Sequence, residues 1–228
     1  MNLFIKNVAK FAVIVLLGAV SSAHAAKINT LFNTGVDENG VVLPHGSTGD
    51  SHYSLVTVPG GATGTRVITS DGGYPVGPYL GDSAISRWIG PNNDDDLNGP
   101  IGNYLYTTAF DLTGFNAATA AIEGRWATDN EGVDILLNGI SLGFTSPFEG
   151  FRNFENFVIN KGFIPGLNTL SFVVNNGGGP TGLRVEFSKG EAEESNSGGV
   201  SDVPVPAAIW LFGTGLFSVF GFSSRKKK

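Results

Sequence analysis

One acidic segment has the residue types and the spacing of a calcium-binding loop. Within residues 92–99, oxygen-bearing side chains stand at alternate positions: Asp94, Asp96 and Asn98. Calcium binds carboxylate and amide oxygens, and the following Gly99 allows the sharp bend that such a loop needs. The twelfth loop position is Leu105 rather than the glutamate of an EF-hand, so the pattern favours a shorter calcium site. A solvated turn is the alternative interpretation.

Aromatic residues near this segment have the chemistry for binding sugars. The candidates are Tyr74, Tyr79 and Trp88. The tyrosines lie in a stretch rich in Gly and Pro, residues 71–79, which predicts an irregular exposed loop. Aromatic rings stack on the apolar C–H faces of sugars, whose hydroxyl groups pair with amides and carboxylates. Phe148 and Phe151 are further candidates, although Trp88 and both phenylalanines also fit core positions.

No local pattern in the sequence indicates catalysis. Residues 139–143 match the Gly-x-Ser-x-Gly motif of serine hydrolases, but that motif requires a strand-to-helix turn. Here Ser141 follows Asn138-Gly139, which is typical of a tight hairpin turn. The sequence therefore predicts a non-enzymatic protein. A glycan hydrolase whose two carboxylates meet only in the fold remains an alternative.

The distribution of charge restricts the partners. All 20 Asp and Glu residues lie between Asp37 and Asp202, whereas residues 26–202 hold only 8 of the 14 Lys and Arg residues, so this part carries a net charge of −12. Nucleic acid is excluded as a partner because phosphate binding needs a basic face. The absence of Cys removes disulfides and thiolate chemistry.

The N-terminal residues 1–25 have the three parts of a secretory signal peptide. A basic start with Lys6 and Lys10 precedes the apolar residues 11–20, and small residues follow at the positions that signal peptidase inspects, Ala23 and Ala25. The apolar stretch is too short for a membrane anchor. We expect cleavage after Ala25 and export across the cytoplasmic membrane.

The C-terminal residues 203–228 combine a proline motif, an apolar stretch and a basic end. The motif contains Val203, Pro204, Val205, Pro206 and Trp210. As a helix, residues 203–222 would span about 30 Å, enough for one transmembrane helix, and residues 225–228 mark the cytoplasmic side.

This tail resembles the PEP-CTERM sorting signal of Gram-negative bacteria. The resemblance implies transient anchoring in the cytoplasmic membrane, cleavage by an exosortase-type enzyme and sorting to the cell surface or extracellular matrix. No acidic residue stands between Pro204 and Pro206, which departs from the family motif. A tail anchor that is never cut is the alternative.

The middle of the chain predicts an all-β fold, a single jelly-roll-like antiparallel β-sandwich over residues 26–189. Short alternating runs are separated by Gly, Asn, Pro and Asp, and strands are predicted, among others, at residues 28–33, 84–89, 141–144 and 182–188. Leu183, Val185 and Phe187 form one face of the last strand, and Arg184 and Glu186 the other. Residues 190–202 are predicted to be an acidic flexible linker.

The stretches 103–114, 127–139 and 166–175 resemble the galactose-binding-like sandwiches that often precede PEP-CTERM tails. That resemblance implies a frequent role in carbohydrate binding rather than a particular ligand. We therefore expect an exported, surface-sorted protein that binds extracellular polysaccharide. A structural envelope or biofilm component without a discrete ligand is the alternative.

Processing at both ends predicts the mass of the mature protein. Intact-mass spectrometry of surface-released protein should give a chain that begins at Ala26 and lacks the tail from about Val203. A mass that includes Met1 would contradict the signal peptide, and a mass that includes Arg225 to Lys228 would indicate a plain membrane anchor.

The calcium interpretation predicts metal-dependent stability. Calcium that binds only the folded state should raise the melting temperature as its concentration rises. Replacement of Asp94 and Asp96 by Asn should remove the shift. Identical melting curves with calcium and with chelator would leave the solvated turn as the correct interpretation.

Overall fold

The computed structural model describes residues 24–61, 64–72, 75–92 and 98–195. Their helical elements are four single 3-10 turns at Pro59–Gly61, Ser70–Gly72, Ala117–Thr119 and Gly150–Arg152. The strands are β1 Ala25–Lys27, β2 Tyr53–Thr57, β3 Thr65–Ile68, β4 Trp88–Pro91, β5 Gly102–Asp111, β6 Ala121–Asp129, β7 Glu131–Leu137, β8 Ile140–Ser141, β9 Glu155–Ile159, β10 Leu167–Asn176 and β11 Gly182–Glu193. Within these ranges no helix has the length and apolar character needed to cross a membrane.

The strands form two antiparallel sheets that pack face to face. One sheet has the order β3-β4-β11-β6-β9, with β1 also paired to β11, and the other has the order β2-β5-β10-β7-β8. Strand β11 therefore lies inside its sheet, between β4 and β6. The predicted all-β fold, an antiparallel β-sandwich, is confirmed.

The main core lies between the sheets and consists of the predicted apolar faces. Trp126 of β6 and Phe172 of β10 are fully buried, with ring centroids 5.8 Å apart, and Phe157 of β9 lies 6.0 Å from Phe172. Leu183 and Val185 of β11 are fully buried beside them. Each such side chain contributes about 1.5–3 kcal/mol through the removal of apolar surface from water.

A second, smaller cluster covers the outer face of the six-stranded sheet. The described residues of the connection from β3 to β4, 69–72 and 75–87, are here called the covering segment. They fold over this face, and their Tyr79 and Leu80 pack with Trp88 and Ala127. Arg184 and Glu186 are consequently only 2% and 4% exposed. The alternation along β11 correctly separates its two faces, but the covering segment buries the polar one as well.

Hydrogen bonds saturate the buried charges under this covering segment. The Glu186 carboxylate accepts hydrogen bonds from Ser86 Oγ at 2.7 Å, from Arg125 Nε at 2.8 Å and from Arg184 Nη2 at 3.2 Å. Arg184 also donates through Nε to Ser86 Oγ at 2.7 Å and through Nη1 to the Gly81 carbonyl at 2.5 Å. Burial alone raises the pKa of Glu186, but the hydrogen bonds and the two guanidinium charges outweigh it and lower that pKa.

Several predicted boundaries differ from the observed ones. The segment 28–33 is irregular, and the strand at this end of the domain is β1, whose Ala26 pairs with Ala192 of β11. The first four residues of the predicted linker, 190–193, belong to strand β11, because Ala192 is fully buried in the core. Strand β4 begins at Trp88 rather than at residue 84, and β8 is limited to Ile140–Ser141.

The remaining predicted segments lie outside the described residues. These are the signal peptide up to residue 23, the linker from residue 196 and the sorting tail at residues 203–228.

Replacement of Glu186 by Gln should lower the free energy of unfolding by about 3 kcal/mol at pH 7, because Arg184 would stay buried without its anionic partner. Arg125→Gln is the matched control, since the Arg125 side chain is half exposed and its loss should cost about 1 kcal/mol. Urea denaturation of both variants measures the difference.

The acid dependence of the Glu186→Gln effect tests the same carboxylate. Its folded-state pKa lies below the ordinary value of 4.5, so its charge stabilises the fold above that value and ceases to do so as the pH falls through the folded-state pKa. The stability difference between wild type and variant should therefore shrink below about pH 4. A difference that stays constant in acid would contradict this role.

Candidate functional site

Parts of four connections meet at one end of the sandwich, here called the loop end: residues 98–101, 129–131, 146–150 and 177–181. The Gly99 amide donates to the Gly179 carbonyl at 3.2 Å, and the Gly177 amide donates to Asn130 Oδ1 at 2.7 Å. A bridge between Asn130 and Glu149 joins the fourth connection, residues 146–150, to the other three. These hydrogen bonds fix the loops relative to one another.

A buried carboxylate lies directly beneath these loops. Asp129, the last residue of β6, is 2% exposed. Its Oδ2 accepts a hydrogen bond from the Tyr79 hydroxyl at 2.8 Å, and its Oδ1 accepts one from Asn130 Nδ2 at 3.0 Å. The Asp129 backbone carbonyl accepts another from Thr181 Oγ1 at 2.7 Å. Asp129 therefore connects the covering segment, the β6–β7 junction and the β10–β11 loop.

The aromatic residues predicted to stack on sugars occupy different environments. Trp88 is only 3% exposed, and its Nε1 donates to the Leu80 carbonyl at 2.9 Å, so it is a core residue of the smaller cluster and offers no ring face to a ligand. Tyr79 is half-buried and stacks on Phe151 with ring centroids 4.2 Å apart. Tyr74 lies outside the described residues.

Phe148 presents the exposed aromatic ring of the loop end. Its side chain is 58% exposed and packs against the backbone of Gly177, where a Cβ would lie 2.9 Å from a ring carbon. Ile101, also exposed, lies on the other side of this turn near Gly178. Phe148, for which the sequence also allows a core position, is therefore a surface residue. Its ring can take this position only because residue 177 is glycine, since a Cβ there would collide with the ring.

Polar side chains form a row across three strands next to the loop end. Asn175 of β10 is paired with Asn103 of β5 on one side and with Glu131 of β7 on the other. Asn175 Nδ2 donates to Asn103 Oδ1 at 2.7 Å. The sequence pattern alone does not predict this row. Its sequence signal is three outward-facing polar residues at strand ends, which only the strand register brings together.

Of the predicted calcium ligands, the structure describes Asn98 alone. Asn98 is exposed and pairs with Pro180 in an isolated bridge, which places it at the loop end. Asp94 and Asp96 lie outside the described residues. Among the residues that are described, no three acidic, His or Cys side chains are grouped to hold a metal ion. The calcium site stays a prediction.

The serine motif lies in a hairpin, as the Asn-Gly pair indicates. Ser141 is on β8, which pairs with β7 directly after the turn at Asn138 and Gly139. Both turn residues have positive φ, 52° and 78°. This geometry is a hairpin turn and not the strand-to-helix elbow that a nucleophilic serine requires.

No protein-family model matches the sequence, and neither does any curated protein. Solved structures with a similar arrangement include the carbohydrate-binding module CBM35 from Paenibacillus barcinonensis, with 18% identity and a TM-score of 0.34, over 64% of this chain and 98% of that chain. A family 35 carbohydrate-binding module from an environmental isolate has 11% identity and a TM-score of 0.33, over 65% and 96% of the two chains.

An enzyme is also among the similar structures. The exo-β-1,3-galactanase of Phanerochaete chrysosporium has 12% identity and a TM-score of 0.29, with coverage of 74% of this chain and 29% of that chain. At these values no ligand or activity is transferred to this chain.

Proposed function

We propose that this chain is an exported protein whose β-sandwich binds extracellular polysaccharide at the loop end without cleaving it. The observation that carries the proposal is the exposed ring of Phe148 on a turn fixed by hydrogen bonds, at the same end of the sandwich as a row of amide and carboxylate side chains. Sugar rings offer an apolar face for such a ring and hydroxyl groups for such a row.

The hydrogen-bonding groups of the polar row that are left without a partner in the described part of the chain support a ligand rich in hydroxyl groups. Apart from the bond between Asn175 and Asn103, the side chains of the row, including Glu131, make no other hydrogen bond within the described residues. Together they offer both donors and acceptors, and a sugar hydroxyl needs both. Tyr74 remains a proposed contact on sequence grounds. Tyr79 acts instead by positioning Asp129, to which its hydroxyl is bonded.

Charge favours neutral polysaccharides over acidic ones. Residues 26–202 carry 20 acidic against 8 basic residues, so an anionic chain is repelled unless a cation bridges it to the protein. Calcium held by Asp94, Asp96 and Asn98 would supply such a bridge. Binding of acidic chains should therefore require calcium, whereas binding of neutral chains should not.

The two ends of the sequence support the proposed location. The signal peptide with Ala23 and Ala25 supports export through signal peptidase, and the motif at residues 203–210 supports processing by an exosortase-type enzyme after transient membrane anchoring. The mature protein would then reside at the cell surface or in the extracellular matrix, where polysaccharide is available as a ligand.

Affinity electrophoresis of the full chain in mild detergent tests the binding site. Gels containing neutral glucan, galactan or xylan should retard the protein, and Phe148→Ala should weaken binding about 2- to 10-fold, because one stacked ring contributes about 0.5–1.5 kcal/mol. Asn175→Ala should weaken binding in the same direction. Tyr74→Ala combined with Tyr79→Ala should do so more strongly, since it also releases Asp129.

Ile140→Ala is the matched control, because Ile140 is an exposed apolar residue on β8, at the opposite end of the sheet. Absence of retardation in every gel, with and without calcium, would instead favour a structural component without a discrete ligand. Release of reducing sugar from any of these polysaccharides would favour the hydrolase.

A further inference from the structure

A groove lies along the second half of β11, away from the loop end. It has a volume of about 410 Å³ and is bounded by Lys27 at the end of β1 and the irregular segment 28–40 on one side, and by residues 187–190 of β11 on the other. These β11 residues lie five to eight positions after Gly182, at which β11 leaves the loop end, or roughly 16–26 Å along the strand. We call this cavity the edge groove.

Hydrogen bonds hold the wall of the edge groove against β11. The Ile28 amide donates to the Gly190 carbonyl at 2.8 Å, and the Phe187 amide donates to Asn33 Oδ1 at 2.7 Å. Asn33 Nδ2 in turn donates to the Ile85 carbonyl at 2.9 Å. A Cβ at position 190 would lie 2.8 Å from a methyl carbon of Leu31, so glycine there lets Leu31 close onto the strand.

The rim of the edge groove is fixed by a tight turn. Asp37 Oδ1 accepts hydrogen bonds from the amides of Asn39 and Val41, both at 2.9 Å, and these bonds also lower the pKa of Asp37. Phe32, which lines the groove, is stacked on His52 with ring centroids 3.7 Å apart and ring planes at 7°. The groove is therefore formed before any ligand arrives.

Three polar side chains that line the groove have no hydrogen-bonding or ionic partner within the described residues. The ammonium of Lys27, the amide of Asn29 and the carboxylate of Glu38 form no hydrogen bond or ion pair within the described part of the chain. The other ammonium on the lining, that of Lys189, already binds Glu191 at 2.8 Å. The groove thus combines a cationic donor, an anionic acceptor and an amide that does both, next to the apolar side chains of Leu31 and Phe32.

We infer that the edge groove is a second saccharide site, separate from the loop end, that takes a short stretch of a neutral glycan. Lys27 and Glu38 carry opposite charges, so together they favour neither an anionic nor a cationic ligand over a neutral one. The acidic character of the domain further disfavours an anionic ligand. The volume lies in the range of small-molecule sites, about 300–1,000 Å³. This inference depends on the proposed function in one respect only, namely that the ligand of the protein is a saccharide.

Two sites on one rigid domain change how the protein binds a long chain. Once one site holds the polysaccharide, the second site binds from an increased effective concentration. Loss of either site should then weaken binding to polysaccharide more than binding to a trisaccharide, which is too short to occupy both.

The test uses the full chain in mild detergent, with capture on surfaces coated with glucan, galactan or xylan. Asn29→Ala combined with Glu38→Gln should weaken capture about 2- to 10-fold, as should Phe148→Ala alone, and the combination of all three should abolish it. Asn156→Ala is the control, since this exposed amide on β9 is separated from the groove by β6 and β11. Circular dichroism melting confirms that each variant is folded.

The outcomes separate the two sites. Unchanged capture by the Asn29 and Glu38 variant, together with weakened capture by Phe148→Ala, would overturn the edge groove and leave the loop end intact. The reverse pattern would support the groove and overturn the loop end. No capture of wild type on any surface would overturn both.

Discussion

The fold depends on a pair of opposite charges buried on the outside of a sheet. Arg184 and Glu186 stand two residues apart on β11, and both are almost inaccessible to solvent. Removal of two charges from water costs several kcal/mol per ion unless hydrogen bonds complete the coordination of each. Ser86, the Gly81 carbonyl and Arg125 provide those bonds. Two of these partners, Gly81 and Ser86, lie in the covering segment, so the charges and the segment hold each other in place.

From this pair, a continuous path of contacts leads to the candidate site. The covering segment carries Tyr79, whose hydroxyl binds Asp129, and Asp129 binds Asn130. Asn130 accepts the amide hydrogen of Gly177, against which the ring of Phe148 packs. A ring that is fixed in this way loses little conformational freedom when a ligand binds, and that reduces the cost of association. The covering segment therefore contacts both the buried charges and the carboxylate beneath the loop end.

Local patterns in the sequence predicted those parts of the fold that depend on neighbouring residues. The period-two alternation of Leu183 and Val185 gave the correct core face, and Asn138-Gly139 gave the correct hairpin. The burial of Glu186 was not predictable, because it results from a covering segment that approaches from elsewhere in the chain. For Trp88, a core position was one of the two interpretations, and the structure selects it. The exposure of Phe148 depends in the same way on Gly177, a residue distant in sequence.

The candidate site was less predictable than the fold for a related reason. The row of Asn103, Asn175 and Glu131 exists only because three strands pair in one particular register. A shift of one residue would turn Asn175 to the opposite face of the sheet. The edge groove likewise depends on an irregular segment, residues 28–33, which the sequence pattern predicted as a strand. Its shape follows from hydrogen bonds to β11 rather than from any periodicity.

The position of β11 has a consequence for the order in which this domain folds. β11 is the last strand in the described part of the chain, yet it joins β4 on one side to β6 on the other. A chain that emerges from a ribosome or a membrane pore with its N-terminus first cannot close the six-stranded sheet until residues 182–193 have appeared. Until then β4 and β6 each keep an open edge, and such edges pair readily with other chains. The six-stranded sheet therefore closes late, when the last described strand enters between β4 and β6.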